Sequence, residues 1–97
     1  MDAKIYSCEY WITETNPKIL FDTYKQNLYS AGFKIINILE HHFTPIGYTA
    51  IFLLAESHFA IHTFPEKNKT YLQLSSCNKE MFDKFLIIEK NKDKKCY

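Results

Sequence analysis

Two apolar runs, YTAIFLLA (48–55) and HFAIHTF (58–64), are separated only by Glu56-Ser57, and this limits the fold more than any other feature of the chain. Both runs are rich in the β-branched and aromatic residues that favour strands. A link of two residues joins such strands as an antiparallel hairpin. For a buried segment the hairpin is unusually polar: Glu56, Ser57, His58 and His62 precede a Pro65-Glu66 exit. YTAIFLLA is apolar on both faces, so a central place in the sheet is expected for it.

The flanking sequence supplies the remaining elements. Residues 4–12, KIYSCEYWI, have the content of a first strand. Asn16-Pro17 has the form of a helix N-cap followed by proline at the first helical position. Leu20, Tyr24 and Leu28 recur at helical spacing, and Gly32 is the expected stop. FKIINILEHHF (33–43) predicts a second strand that Pro45 and Gly47 end. TYLQLSS (70–76) predicts the last strand, and Asn78 the cap of a helix carrying Met81, Phe82, Phe85 and Leu86. Strand, helix, four strands, helix makes a single α+β domain over residues 1–97, a two-layer sandwich with both helices on one face of a mainly antiparallel sheet. With 16% aromatic residues, the chain is expected to cover its second sheet face by pairing with another copy, as a homodimer.

Charge and cysteine usage exclude several partners. The net charge is +1 and every basic residue is lysine, so the bidentate arginine contacts typical of nucleic-acid readers are absent and no nucleic-acid partner is expected. The lysine-rich end, KNKDKKCY (90–97), reads as a solvated, frayed terminus. The longest apolar run, near 50–55, is too short to span a bilayer, and MDAKIYSCEYW lacks a signal-peptide core. Cys8, Cys77 and Cys96 form neither a disulfide framework nor a C-x-x-C site, so a reduced, cytoplasmic protein without membrane or metal partners is expected. His41, His42, His58 and His62 have strand spacings that suit a metal poorly.

With Glu56-Ser57 as the hairpin connection, Ala55 would face His58, Ile51 would face His62 and Thr49 would face Phe64. Thr49, Ile51, Ala60, His62 and Phe64 then share one face by alternation. A second turn at PEKNKT would bring Cys77 opposite His58, beside Ser57. The polar residues thus fall into two groups, Ser57 with Cys77 and Thr49 with His62, roughly 16 Å apart at about 3.3 Å per residue. Ser57 and His62 would meet only across a two-fold axis. Taken singly, each residue also has an ordinary structural reading: Phe43 and Phe64 as core or interface aromatics, Cys77 as a buried thiol, Glu66 as a solvated turn residue. A Ser-His hydrolase lacks its G-x-S-x-G elbow.

Taken together, HHFTPIGYTAIFLLAESHFAIHTFPE followed by SSC resembles the prokaryotic S-adenosylmethionine decarboxylase family, a pyruvoyl-dependent class. The resemblance covers most of residues 4–88. It implies self-cleavage at Glu56-Ser57 by an N-to-O acyl shift, leaving chain 1–56 and a chain 57–97 headed by a pyruvoyl group made from Ser57. It implies His62 as the base that removes the Ser57 α-proton. Thr49 stands where the family usually has serine, and would hydrogen-bond the processing intermediate. The pyruvoyl carbonyl would form a Schiff base with S-adenosylmethionine and take up the electrons freed by loss of CO₂. Cys77 would be the proton donor, Phe43 and Phe64 the adenine sandwich, and Glu66 the ribose ligand, in a dimer with shared sites. The chain departs from the family at Phe64, commonly tryptophan, at Gln73 and Asn78, commonly acidic and glycine, and in its short end. Relatives that act on ornithine or arginine keep a second substrate class open, and an unprocessed binding module is the non-enzymatic alternative.

Overall fold

A computed structural model describes residues 4–89 and 95–96. Six strands and two α-helices follow in the order β1 (Tyr6–Ile12), α1 (Pro17–Ser30), β2 (Ile35–His42), β3 (Tyr48–Leu54), β4 (Ser57–Phe64), β5 (Lys69–Ser76), α2 (Lys79–Ile88) and β6 (Lys95–Cys96). A 3₁₀ turn, Pro65–Lys67, links β4 to β5. The strands form one sheet in the order β2-β3-β4-β5-β1-β6, with every neighbouring pair antiparallel. This is the α+β sandwich expected from the sequence, with one addition. Lys95 and Cys96 pair with β1 at its outer edge instead of trailing into solvent, and the rest of the lysine-rich end lies outside the described residues.

Local chemistry sets the helix ends. Asn16 caps α1 by accepting the Ile19 N–H, and Pro17 needs no partner at the first helical position. Gly32 takes φ +99° just beyond the helix, a conformation costly for any residue with a Cβ. Asn78 caps α2 through the Met81 N–H. Both helices lie on the same sheet face. Leu20, Tyr24 and Leu28 of α1 and Phe82 and Phe85 of α2 join Tyr10, Phe52, Phe59, Ile61, Leu72 and Leu74 in a single core. Phe59 stands at its centre, 5.1 Å from the Tyr24 ring and 5.5 Å from Phe85. Each such buried aromatic contributes about 2–3 kcal/mol of hydrophobic stabilisation.

Among the described residues the opposite face has no such layer. YTAIFLLA does lie inside the sheet, between β2 and β4, but only one of its faces is covered: Phe52 is fully buried while Leu53 is 49% exposed. Leu39, Trp11 and Phe64 are exposed as well.

The hairpin registers differ from the sequence expectation by two residues. Leu54 pairs with Ser57, Leu53 with His58, Ile51 with Ala60 and Thr49 with His62. The turn is therefore Ala55-Glu56, and Ser57 is the first residue of β4. In the next hairpin His58 pairs with Ser75, and Ser57 faces Ser76 instead of lying beside Cys77. A slip of two keeps every side chain on its own face, so apolar alternation cannot detect it. Backbone conformation decides: Glu56 at φ 62° and Asn68 at φ 52° take the left-handed positions of the two turns.

Among the described residues no helix is long and apolar enough to cross a membrane, and no three His, Cys, Asp or Glu side chains converge as metal ligands. None of the three cysteines is in a disulfide. Cys8 and Cys96 face each other across β1 and β6 with their sulfurs 2.7 Å apart, so Cys77 alone of the three adjoins the Ala55-Glu56 turn.

Candidate functional site

The β3–β4 turn and the end of β5 enclose a small hollow of about 160 Å³ lined by Ile5, Glu56, Ser57, His58, Ser75, Ser76 and Cys77. Ser57 is 9% exposed because, as the first residue of β4, it falls in the core-facing phase with Phe59 and Ile61. Its hydroxyl donates to Ser76 Oγ at 2.7 Å. The Glu56 carbonyl oxygen accepts from the Cys77 thiol at 2.9 Å and faces the Cys77 backbone N–H at 3.4 Å. A peptide bond next to a hydroxyl, in a left-handed non-glycine turn, with its carbonyl oxygen held by two donors, combines backbone strain with polarisation of the carbonyl carbon.

A second group lies at the other end of β4. Thr49 faces His62 directly, with Oγ1 3.1 Å from Nδ1, and the His62 ring lies 6.2 Å from Tyr71 in a stacked orientation. These side chains are on the open sheet face, whereas Ser57 points to the helix side. Five residues of strand, roughly 16 Å, separate Ser57 from His62. One chain therefore brings Thr49 to His62 and Cys77 to the Glu56-Ser57 peptide, but does not bring the two groups together.

Phe43 and Phe64 are both exposed. Phe43 follows β2, its N–H bonded to the Gly47 carbonyl at 2.9 Å, and its ring lies 4.5 Å from His41. Gly47 has φ +119°, a backbone conformation that side chains with a Cβ rarely adopt, and it lies against Phe43. A hollow of about 360 Å³ opens beside Phe43 between Thr15, His42, Ile46, Thr63 and Pro65. Glu66 is exposed in the 3₁₀ turn that follows Phe64. A larger hollow, about 450 Å³ between the start of α1 and Glu40 and His42 of β2, contains none of the site residues expected from the sequence. The smaller hollow at the turn holds Ser57 and Cys77, two of the residues that the sequence singles out.

Two neighbours were not foreseen from sequence. Ser76 stands in the core-facing phase of β5, after Thr70, Leu72 and Leu74, where an apolar residue is the norm. A serine in that phase was the available signal. Trp11, expected only as part of a strand, lies 5.7 Å from Phe64 and 5.3 Å from Tyr71, extending the aromatic row on the open face. That placement depends on the β1–β5 pairing, which sets Trp11 opposite Tyr71, 60 positions further along the chain.

Residues 3–90 match the family described as S-adenosylmethionine decarboxylase. The S-adenosylmethionine decarboxylase proenzyme of Thermotoga petrophila is 29% identical over 79 residues, covering 81% of this chain and 60% of the relative. That of Prochlorococcus marinus (strain MIT 9211) is 38% identical over 68 residues, covering 67% of this chain and 56% of the relative. The chain thus spans about three fifths of the length of such curated relatives. Among solved structures, the adenosylmethionine decarboxylase of Aquifex aeolicus superposes with a TM-score of 0.70 at 19% identity, over 96% of this chain and 86% of its own. That likeness establishes a shared fold.

Proposed function

Because the chain belongs to the S-adenosylmethionine decarboxylase family, we propose that it is a self-processing decarboxylase whose reactive carbonyl is made from Ser57. The observation that carries this reading is the Glu56-Ser57 peptide itself: a left-handed Glu56, a carbonyl oxygen held by Cys77, and a nearly buried hydroxyl on the next residue. In the acyl shift a bond forms from Ser57 Oγ to the Glu56 carbonyl carbon. The bond from that carbon to the Ser57 nitrogen breaks, and the hydroxyl proton ends on the nitrogen. A base then removes the Ser57 α-proton and the Glu56 carboxylate departs. Water completes the conversion with release of ammonia, leaving 1–56 and a 57–97 chain headed by pyruvoyl. The hollow at the turn would hold such a group against Ile5, His58, Ser75, Ser76 and Cys77.

A pyruvoyl group supplies an electron sink for loss of a carboxylate next to an amine. The chain's own residues do the rest. Cys77, already at the turn, would return a proton to the product. His62, oriented by Thr49, would serve as the base for the Ser57 of a second copy, because its own Ser57 is roughly 16 Å away along the strand. Pairing through the open face would also cover Leu53, Trp11 and Phe64. Phe43, Phe64 and Glu66 support a nucleoside-bearing substrate: two exposed aromatic faces and a carboxylate suited to a purine, a sulfonium and a ribose diol. S-adenosylmethionine carries all three, and its decarboxylated product is the aminopropyl donor for spermidine. We place this reaction in the cytoplasm, where Cys77 would stay a thiol.

Denaturing mass spectrometry of the purified protein tests the reading. Two fragments meeting at Glu56/Ser57 are expected, the second lighter by one ammonia than its sequence. Ser57→Ala should leave one chain. An intact wild-type chain after prolonged incubation would overturn the enzyme and leave a binding module. Carbon dioxide release from labelled S-adenosylmethionine, ornithine and arginine then separates the substrate classes.

A further inference from the structure

Ser76 is buried, 1% exposed, and its hydroxyl has no capacity to spare. A serine hydroxyl offers one donor and two acceptor sites. Ser76 Oγ accepts the Ser57 hydroxyl at 2.7 Å and the Asn78 N–H at 3.0 Å, and it donates to the Asn78 carbonyl at 3.4 Å. Asn78 is in turn fixed as the N-cap of α2. The Ser57 hydroxyl is thus anchored, through one intermediary, to the start of a helix packed in the core.

The direction of that first hydrogen bond matters chemically. Ser57 gives its hydrogen to Ser76, so the lone pairs of Ser57 Oγ remain available to an electrophile. The nearest covalent neighbour able to act as one is the Glu56 carbonyl, whose oxygen is held by Cys77. Nucleophile and carbonyl are therefore held by adjacent residues at the end of β5, Ser76 and Cys77. Building on the self-cleavage reading above, we propose that Ser76 is a positioning residue for the acyl shift. It fixes the Ser57 hydroxyl in the conformation that leaves its lone pairs free, while the net proton movement remains from Ser57 Oγ to its own nitrogen.

The experiment compares the rate at which fragment 57–97 appears in freshly purified wild-type chain and in Ser76→Ala, Ser76→Thr and Ser76→Val, by denaturing mass spectrometry. Loss of the anchoring hydroxyl should slow cleavage about 10–100-fold, the range expected when a reacting group is misplaced by a fraction of an ångström to an ångström. Ser76→Thr keeps Oγ and should cleave within a few-fold of wild type. Ser76→Val has the shape of threonine without the hydroxyl and should be slow at comparable thermal stability. The threonine–valine pair carries the test even where the alanine variant does not fold. Hydroxylamine, which cleaves esters, adds a readout that a merely structural role would not move. It should accelerate cleavage in His62→Ala, where the ester accumulates, and have little effect in Ser76→Val, where the ester is slow to form. Cleavage of Ser76→Val at the wild-type rate overturns the proposal while leaving self-cleavage standing. An uncleaved wild-type chain overturns both.

Discussion

Cys77 illustrates how much one side chain's role depends on a register. From sequence it was expected opposite His58, beside Ser57, and so in a position only to protonate product. In the fold it lies two positions further along and holds the Glu56 carbonyl with both its thiol and its backbone N–H. On the proposed reading these contacts give it a role in the cut itself. Cys77→Ala keeps the backbone donor but loses the thiol, a weak donor, so fragment formation should slow about tenfold, or about 1.4 kcal/mol, below the loss seen for a strong oxyanion donor. Time courses of the 57–97 fragment check this, and cleavage at the wild-type rate would confine Cys77 to the later proton transfer. The residue types of the candidate site were legible in the sequence because polar side chains stand out in apolar strands. Their contacts were not, because a two-residue slip changes every cross-strand partner without moving any side chain to the wrong face.

At the scale of elements, strands and helices could be read because their ends are marked by local chemistry, as at Asn16-Pro17, Gly32 and Asn78. What local chemistry cannot report is long-range joining. Tyr10 of β1 and Tyr24 of α1 both donate to the Glu89 carboxylate just beyond α2, tying three elements together at the edge of the core. Burial first, then the neighbouring Tyr24 and Glu89, push the Tyr10 hydroxyl far above the usual phenol range. Burial and the hydrogen bond to Glu89 raise Tyr24 as well. A phenol whose pKa is raised on folding binds its proton more tightly in the native state. Its contribution is complete below about pH 10 and is lost as pH rises beyond the unfolded value. Stability should therefore fall above about pH 10 by about 1.4 kcal/mol per pH unit for each of the two tyrosines. Urea unfolding at a series of alkaline pH values checks the slope, and Tyr10→Phe should make it shallower. An unchanged slope in that variant would show that Tyr10 ionises freely in the fold.

For the whole molecule, the decisive feature is that Ser57 and His62 lie on one strand roughly 16 Å apart, too far to meet within one chain. On the proposed reading a complete site would need two copies, and complementation provides the test. Chains carrying Ser57→Ala and chains carrying His62→Ala should each stay whole when alone. Co-expressed, the His62→Ala chain should be cut, because its Ser57 meets the His62 of its partner. Mass spectrometry distinguishes the two chains, and a mixture that stays whole would place the base elsewhere.

The strand order gives the cut a further meaning. Fragment 1–56 would own β1, β2 and β3, and fragment 57–97 would own β4, β5 and β6. In the sheet, β4 and β5 lie between β3 and β1, and β6 lies beyond β1. The two pieces are laced through each other like the fingers of folded hands, so severing the chain would release neither. Once denatured, however, they would have to find each other again in solution, and what had been a folding reaction of one molecule would become an assembly of two. The order of events is then dictated by topology: the sheet must be woven before the thread is cut.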